Sequence, residues 1–287
     1  MQPLLGFLAA AGVVSYPFLE ARWFRVNHLR VPLGRDVEGF TVLHISDTHL
    51  VARNGALLRF LRSLPSRIGT PDLVLATGDL IDDNTGIAPI TKVLNALTAR
   101  LGRFYVLGSH DYFQTRFRSY LKYFGDSRHT EGAAQADTGA LEDGLQTAGW
   151  VSLANRTEHL ITNAGSIRIS GVDDPYINRH QTHHIERAAD EMLAIGLTHA
   201  PEVVSEWALN GFDLVVTGHT HAGQIRVPGV GALVTNSSLP TALAGGLHRI
   251  GGAWLHVSPG LGTGKFAPIR FNCRPEVTLL HIMNQSE

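Results

Sequence analysis

From residue 39 onward the chain alternates short apolar runs with polar or helix-length stretches. The runs occupy 40–45, 73–76, 104–107, 167–169, 193–197, 214–216, 232–234, 254–257 and 277–282, and they are rich in Val, Leu and Ile. Runs this short and this apolar read as buried strands. Segments 55–67, 87–100 and 184–194 between them are long enough for helices. The first half therefore reads as βαβαβ, a sheet with helices on its faces. In the second half the strands follow one another closely, joined by Gly and Pro turns such as IRVPGVGALVTN. The stretch 112–144 lacks periodicity and is expected to be irregular, of the kind that forms lids or binding loops.

Ligand-type residues fall just past the ends of five runs. They are Asp47 and His49, then Asp79 and Asp82, then Ser109-His110-Asp111, then His199, then His219 and His221. In open α/β sheets the carboxyl ends of the strands form the ligand-binding edge, so five such ends would converge on one place. Carboxylates mixed with imidazoles suit Mn, Fe or Zn. Two ions ~3.5–4 Å apart can clamp both oxygens of an in-line displacement at phosphorus. Asp-x-His and His-x-His in extended chain would put both side chains on one side.

Composition narrows the class. The chain has 287 residues, a formal net charge of −1, 44% apolar and 17% charged residues. That suits a packed globular enzyme and gives no basic field for nucleic acid. The single cysteine, Cys273, excludes an intrachain disulfide and a cysteine-rich metal site. Fifteen histidines are many for this length. Some are expected to be structural: His44 as a satisfied core histidine, and His180, His183 and His184 as a solvated helix start. Asp173 and Asp174 read as turn residues, with a role at the site's rim as the alternative. The oligomeric state is not legible.

The N-terminus differs in character. Residues 4–19 form an apolar run of sixteen residues, LLGFLAAAGVVSYPFL, followed by Arg22, Arg25 and Arg30. The run is short of the ~20 residues of an untilted span. Its charge placement keeps the C-terminal side in the cytoplasm. Residues 1–30 are thus expected to be a membrane anchor helix and linker, and 39–284 one catalytic domain.

The ordered motifs Asp-x-His, Gly-Asp-x-x-Asp, Gly-Ser-His-Asp, a lone His and Gly-His-x-His resemble those of the calcineurin-like metallophosphoesterase family. The flanks Ile45-Ser46-Asp47-Thr48-His49 and Gly218-His219-Thr220-His221-Ala222-Gly223-Gln224 look like a bacterial, often membrane-associated branch. So do Ser258-Pro259-Gly260-Leu261-Gly262, Arg270 and Pro275-Glu276. Some of its relatives cleave the pyrophosphate bond of UDP-2,3-diacylglucosamine, and others are general phosphodiesterases.

The resemblance implies an α/β four-layer sandwich of two mixed β-sheets flanked by helices. It implies two divalent ions and a metal-bridging hydroxide as nucleophile. Asp47, His49 and His221 would hold the first ion, His199 and His219 the second, and Asp79 would bridge them. His110 would act as proton donor or transition-state stabiliser, oriented by Asp82. The family's usual Asn is Ser109 here, a shorter and poorer ligand, kept as a second-site contact. His248 and Arg270 are candidates for substrate phosphate. The expected reaction is hydrolysis of a phosphodiester or pyrophosphate, on a nucleotide-lipid if the aromatics Tyr112, Phe113, Phe117, Tyr120, Tyr123 and Phe124 line an apolar slot. A phosphomonoesterase and a noncatalytic scaffold are the alternatives.

Overall fold

Strands that are apolar on both faces need cover on both sides, and the fold supplies it. A computed structural model describes residues 14–33, 37, 39–115 and 132–284. One sheet contains β1 (Arg25–Leu33), β2 (Phe40–Ile45), β3 (Leu73–Thr77), β4 (Gly102–Val106), β5 (Val151–Ser152) and β14 (Glu276–Asn284). Its order is β1-β14-β2-β3-β4-β5. The other contains β6 (Arg156–Thr162), β7 (Gly165–Gly171), β8 (Glu191–Leu197), β9 (Leu214–Thr217), β12 (Gly246–Ile250) and β13 (Ala253–Val257). Its order is β12-β13-β9-β8-β7-β6. Both sheets are mixed: β14 runs antiparallel to β2, and β12 to β13, beside parallel neighbours. A separate hairpin joins β10 (Arg226–Val227) and β11 (Gly231–Ala232).

Pleating divides each strand between two cores, since successive side chains point to opposite faces. Val42, Leu73, Leu75, Leu214 and Val216 fill the layer between the sheets. Leu43, Ile45, Val74 and Ala76 face outward, against Leu57, Leu61, Ile90 and Leu141 of the covering helices. On the far side Val215, Leu255 and Val257 pack on Trp207 and Phe212. The result is the expected four-layer sandwich.

Several local expectations need correction. The segment 184–194 forms no helix; it wraps over the sheet and enters β8 at Glu191. Arg187 ties it down through Asp213 and the Glu191 carbonyl, at 2.8 and 2.7 Å. The stretch 112–144 ends in a helix, Thr138–Thr147, whose first turn is capped by Asp137 Oδ1 accepting from the Ala140 N–H at 3.1 Å. β1 lies partly inside 1–30, so the first sheet begins within the stretch read as anchor and linker. Most of the apolar run 4–19 lies outside the described residues, whose portion 14–20 is helical. Among the described residues no helix is long and apolar enough to cross a membrane.

Candidate dinuclear metal centre

The loops leaving β2 and β3 are stitched together by backbone. Asp47 N donates to Gly78 O at 3.0 Å, His49 N to Asp79 O at 2.9 Å, and Leu50 N to Leu80 O at 3.0 Å. The tail 258–262 locks the same loop from the other side, with Gly262 N donating to Asp47 O at 2.6 Å. The ligand pairs are not in extended chain, contrary to the sequence reading. Asp47, His49, Asp79, His219 and His221 all have positive φ, between 41° and 68°. Non-glycine residues rarely adopt that region, and such outliers gather at functional sites.

Among the described residues three clusters of metal-type groups have ligand atoms within 4.8 Å of one another. They are Asp47–His49–His221, His49–Asp79–His110 and Asp47–Asp79–His199. His49 Nε2 lies 3.1 Å from His221 Nε2 and 3.6 Å from Asp79 Oδ2. His199 Nε2 lies 3.4 Å from the same Asp79 oxygen, and His221 Nε2 3.7 Å from Asp47 Oδ1. One Asp79 oxygen therefore faces both His49 and His199, the position that a bridging ligand would need. The His219 ring is 5.2 Å from that of His199.

The donor set fits cations. His199 Nδ1–H is committed to Thr77 O at 2.7 Å, which leaves Nε2 as the nitrogen that a cation would take in place of a proton. That nitrogen is buried and has no hydrogen-bond partner, although it faces a carboxylate. His49 Nδ1–H is likewise held by Asp82 Oδ1 at 3.0 Å, leaving Nε2 for a metal. This carboxylate–histidine pairing fixes the tautomer that a ligand needs. His219 Nε2–H donates to Asn236 O at 3.0 Å, so its Nδ1 is the free lone pair.

Charge follows the same lines. Burial pushes the His49 ring down, but the Asp82 hydrogen bond and the carboxylates of Asp82, Asp79 and Asp47 outweigh it and lift it to about 9. His199 is raised well above the ordinary value, against burial, chiefly by Asp79. Asp79 is held well below the carboxylate range, because His199, His110 and His49 overcome burial. Burial and the charged His199 push His219 down to about 3.

Two predicted roles change. Asp82 does not pair directly with His110. Its Oδ1 is 3.7 Å from His110 Nδ1, and the Thr115 hydroxyl sits between. Thr115 donates to Asp82, and its Oγ1 lies 2.7 Å from His110 Nδ1, so it accepts the His110 proton. Arg270, the candidate for substrate phosphate, is fully buried. Its Nη2 donates to Gly262 O at 2.6 Å and Pro259 O at 2.7 Å, bracing the tail that locks the Asp47 loop. His248 is on edge strand β12, its Nε2 3.0 Å from Gly245 O, and belongs to none of the three clusters. Ser109 is buried at the start of the short helix Ser109–Tyr112.

Three groups take a place that the sequence reading did not assign: Asp111 was named only among the ligand-type residues, Asp174 as a turn or rim residue, and Tyr176 not at all. Asp111 Oδ1 accepts from Leu80 N and Ile81 N, at 2.8 and 3.1 Å, and its Oδ2 from Gly108 N at 3.0 Å, clamping two catalytic loops together. Its place in the Gly-Ser-His-Asp motif was the available signal. Tyr176 lays its ring 4.7 Å from that of His219. Asp174, in the same turn, is fully buried with Oδ2 unpartnered. Burial and the Asp79 charge raise its carboxyl to about 7 against the pull of His199.

Gly218 shows how tight the centre is. A Cβ there would lie 1.9 Å from Ser46 Oγ and 2.2 Å from Asp47 Oδ2. Gly218→Ala is expected to cost about 1–3 kcal/mol, as overpacking does, and to displace Asp47. A denaturant titration and metal analysis check this; wild-type stability and metal content would contradict it.

The sequence model of calcineurin-like phosphoesterases matches residues 40–223. The chain belongs to that family. It is a hydrolase of phosphoester bonds, and its clusters are candidate sites for the family's divalent ions. The uncharacterized metallophosphoesterase YkuE of Bacillus subtilis is 26% identical over 96% of this chain and 91% of its own length. The phosphodiesterase YaeI of Escherichia coli is 26% identical over 93% and 91%. Among solved structures, a phosphopantetheinyl hydrolase from Mycobacterium tuberculosis aligns over 83% of this chain and 96% of its own, with a TM-score of 0.44 and 14% identity.

Proposed function

We propose that this centre hydrolyses a phosphodiester or pyrophosphate bond of an amphiphilic substrate at a membrane surface, a nucleotide-lipid such as UDP-2,3-diacylglucosamine. Asp47, His49 and His221 would hold one ion, His199, His219 and Ser109 the other, with Asp79 shared. Bound divalent ions supply an activated water at neutral pH and stabilise charge on the phosphoryl oxygens.

The observation that carries the substrate class is an apolar surface next to the centre. Val14, Phe18, Leu19 and Trp23 are exposed, as are Ile225, Val230 and Leu233 of the β10–β11 hairpin. Phe271 connects the two groups: Tyr16 meets its ring edge-on at 5.8 Å, and Ile225 bridges to its backbone. The hairpin follows directly on the His219–His221 loop. Arg274 stacks over Trp23 at 4.1 Å, adding the cation next to aromatic that suits a headgroup layer. Beside the His110 helix, Tyr112, Phe113, Ile177 and Arg179 line a cavity of about 500 Å³. Phe117, Tyr120, Tyr123 and Phe124 lie outside the described residues. The arginines after the apolar run favour the cytoplasmic face.

His110 is partly exposed at the centre, its side chain 23% accessible. Burial holds its ring below the ordinary histidine value, against the charge of Asp79. With Nδ1–H held by Thr115, Nε2 is the nitrogen that exchanges a proton with the substrate. His110→Ala is expected to lower manganese-reloaded turnover of bis(p-nitrophenyl) phosphate by about 10²–10⁴-fold. The loss should be larger for an alkyl ester, whose leaving oxygen needs the proton more. Equal losses would remove the proton-transfer role. A nucleotide-lipid diphosphate in mixed micelles should be the better substrate. Cleavage of soluble diesters only would end the amphiphilic reading, and faster turnover of a p-nitrophenyl monoester would favour a phosphomonoesterase.

A further inference from the structure

The apolar layer between the sheets contains a polar line that the reaction above does not use. His44 on β2 and His256 on β13 come from different sheets and are fully buried, with their Nδ1 atoms 2.8 Å apart. On its other side His44 Nε2 lies 2.8 Å from Thr77 Oγ1. The Thr77 hydroxyl reaches Ser46 Oγ at 2.8 Å, and Ser46 Oγ reaches Asp47 Oδ2 at 2.5 Å.

Every proton in this line is fixed by its last acceptor. A carboxylate only accepts, so Ser46 donates to Asp47. Ser46 then has no hydrogen left, so Thr77 donates to it. Thr77 is spent in turn, so His44 Nε2–H is the donor to Thr77. Burial keeps both imidazoles neutral, His44 well below the ordinary value and His256 at about 3. A neutral imidazole carries one N–H. His44 Nδ1 therefore accepts, and His256 Nδ1–H donates to it. This leaves His256 Nε2 as a bare lone pair, and that atom is indeed buried without a partner.

Four hydrogen bonds of one polarity thus run from the second sheet to Asp47. Aligned buried bonds polarise one another. Apolar side chains at 44 and 256 would fill the layer without leaving a buried nitrogen unsatisfied. Packing alone does not account for the line.

We infer that His256, His44, Thr77 and Ser46 are positioning residues that hold the Asp47 carboxylate by Oδ2 and so present Oδ1 to the first metal site beside His221. Oδ2 is gripped from one side by Ser46, while the His219 N–H donates to both oxygens at 3.0 and 3.2 Å. Rotation of the carboxylate away from His221 Nε2 is then blocked. The inference rests on reading Asp47 as a metal ligand, so the test includes that residue.

Mn²⁺ affinity at each site, measured by electron paramagnetic resonance, and the visible spectrum of the Co²⁺-substituted protein read the ligand field directly. Asp47→Ala should abolish the tighter class of binding; if it does not, the ligand reading itself fails. Ser46→Ala should weaken Mn²⁺ by about 10–100-fold, the usual result of losing a ligand's hydrogen-bond partner. His256→Phe and Thr77→Val should each weaken it by about tenfold, the low end of that range, and shift the Co²⁺ bands. His256→Asn, which keeps an N–H near Nδ1, should restore both. Thr77→Val breaks the line without touching β13, so it serves if His256→Phe does not fold. The relay is overturned if Asp47→Ala loses the ion while Ser46→Ala and Thr77→Val bind Mn²⁺ within twofold of wild type with unshifted Co²⁺ bands.

Discussion

Asp79→Ala is expected to purify with neither ion tightly held and with turnover near background. Asp79 Oδ2 lies 3.6 Å from His49 Nε2 and 3.4 Å from His199 Nε2, one proposed ligand of each ion. Its Oδ1 accepts from His110 N at 2.8 Å, which places the helix carrying the proton-transfer group. Its carboxyl is an anion throughout the neutral range, because His199, His110 and His49 outweigh burial. Removing it takes away a negative charge shared by both ions and the acceptor that seats His110. Losing a partner of a ligand costs about 10–100-fold in metal affinity. A shared ligand should cost more than the upper end of that range at each site. Asp79→Asn keeps the shape and the His110 acceptor but removes the charge. It should recover the fold around His110 without recovering metal. Metal content by mass spectrometry and turnover after Mn²⁺ reloading decide the matter. Two ions per chain and a rate within tenfold of wild type in Asp79→Ala would end the bridging role.

The strand ends that bring the candidate ligands together were legible because their signals are local. An apolar run followed within three residues by Asp or His needs no knowledge of the rest of the chain. The pleat of β2, with Val42 inward and Leu43 outward, follows from the run itself. Other features depend on distant partners. β1, RVNHLRVPL, is a half-exposed edge strand whose Arg and His residues interrupt any apolar run, and only its pairing with β14 makes it a strand. Arg270 resembles a phosphate binder until the carbonyls of Pro259 and Gly262 are brought around it. Thr115 follows Asp82 by 33 residues, and nothing in a lone threonine announces that it relays between Asp82 and His110. The left-handed backbone at the ligands was also illegible, since Asp-x-His reads equally well as extended chain.

Stability of the metal-free protein should fall as pH rises from about 7 to above 9, the reverse of the metal-loaded protein. The sign comes from two raised histidines. His49 is lifted from 6.5 to about 9, against burial, by Asp82, Asp79 and Asp47. His199 is raised well above 6.5, chiefly by Asp79. The folded state then binds protons that the unfolded chain has released, so stability declines with pH across that interval. The contribution is fully present below 6.5 and is lost as pH passes the folded values. For His49 alone it is about 3 kcal/mol, at 1.36 kcal/mol per pKa unit. The other raised groups act with the same sign, and the depressed histidines act below this window. Burial and neighbouring cations depress His219 to about 3 and His221 well below 6.5, so both act only on the acid side. Burial raises Asp111 and Asp174 to about 7, so they are half titrated at its lower edge and add to the loss between about pH 6 and pH 8. In the metal-loaded protein the ions displace the protons on His49 and His199. Loading is therefore favoured by rising pH, and stability with it. Urea unfolding of both forms at pH 6 and pH 9.5 separates these slopes. A metal-free protein equally stable at the two pH values would mean that His49 and His199 do not hold protons in the folded state, and that the carboxylate cluster around them is looser than these distances show.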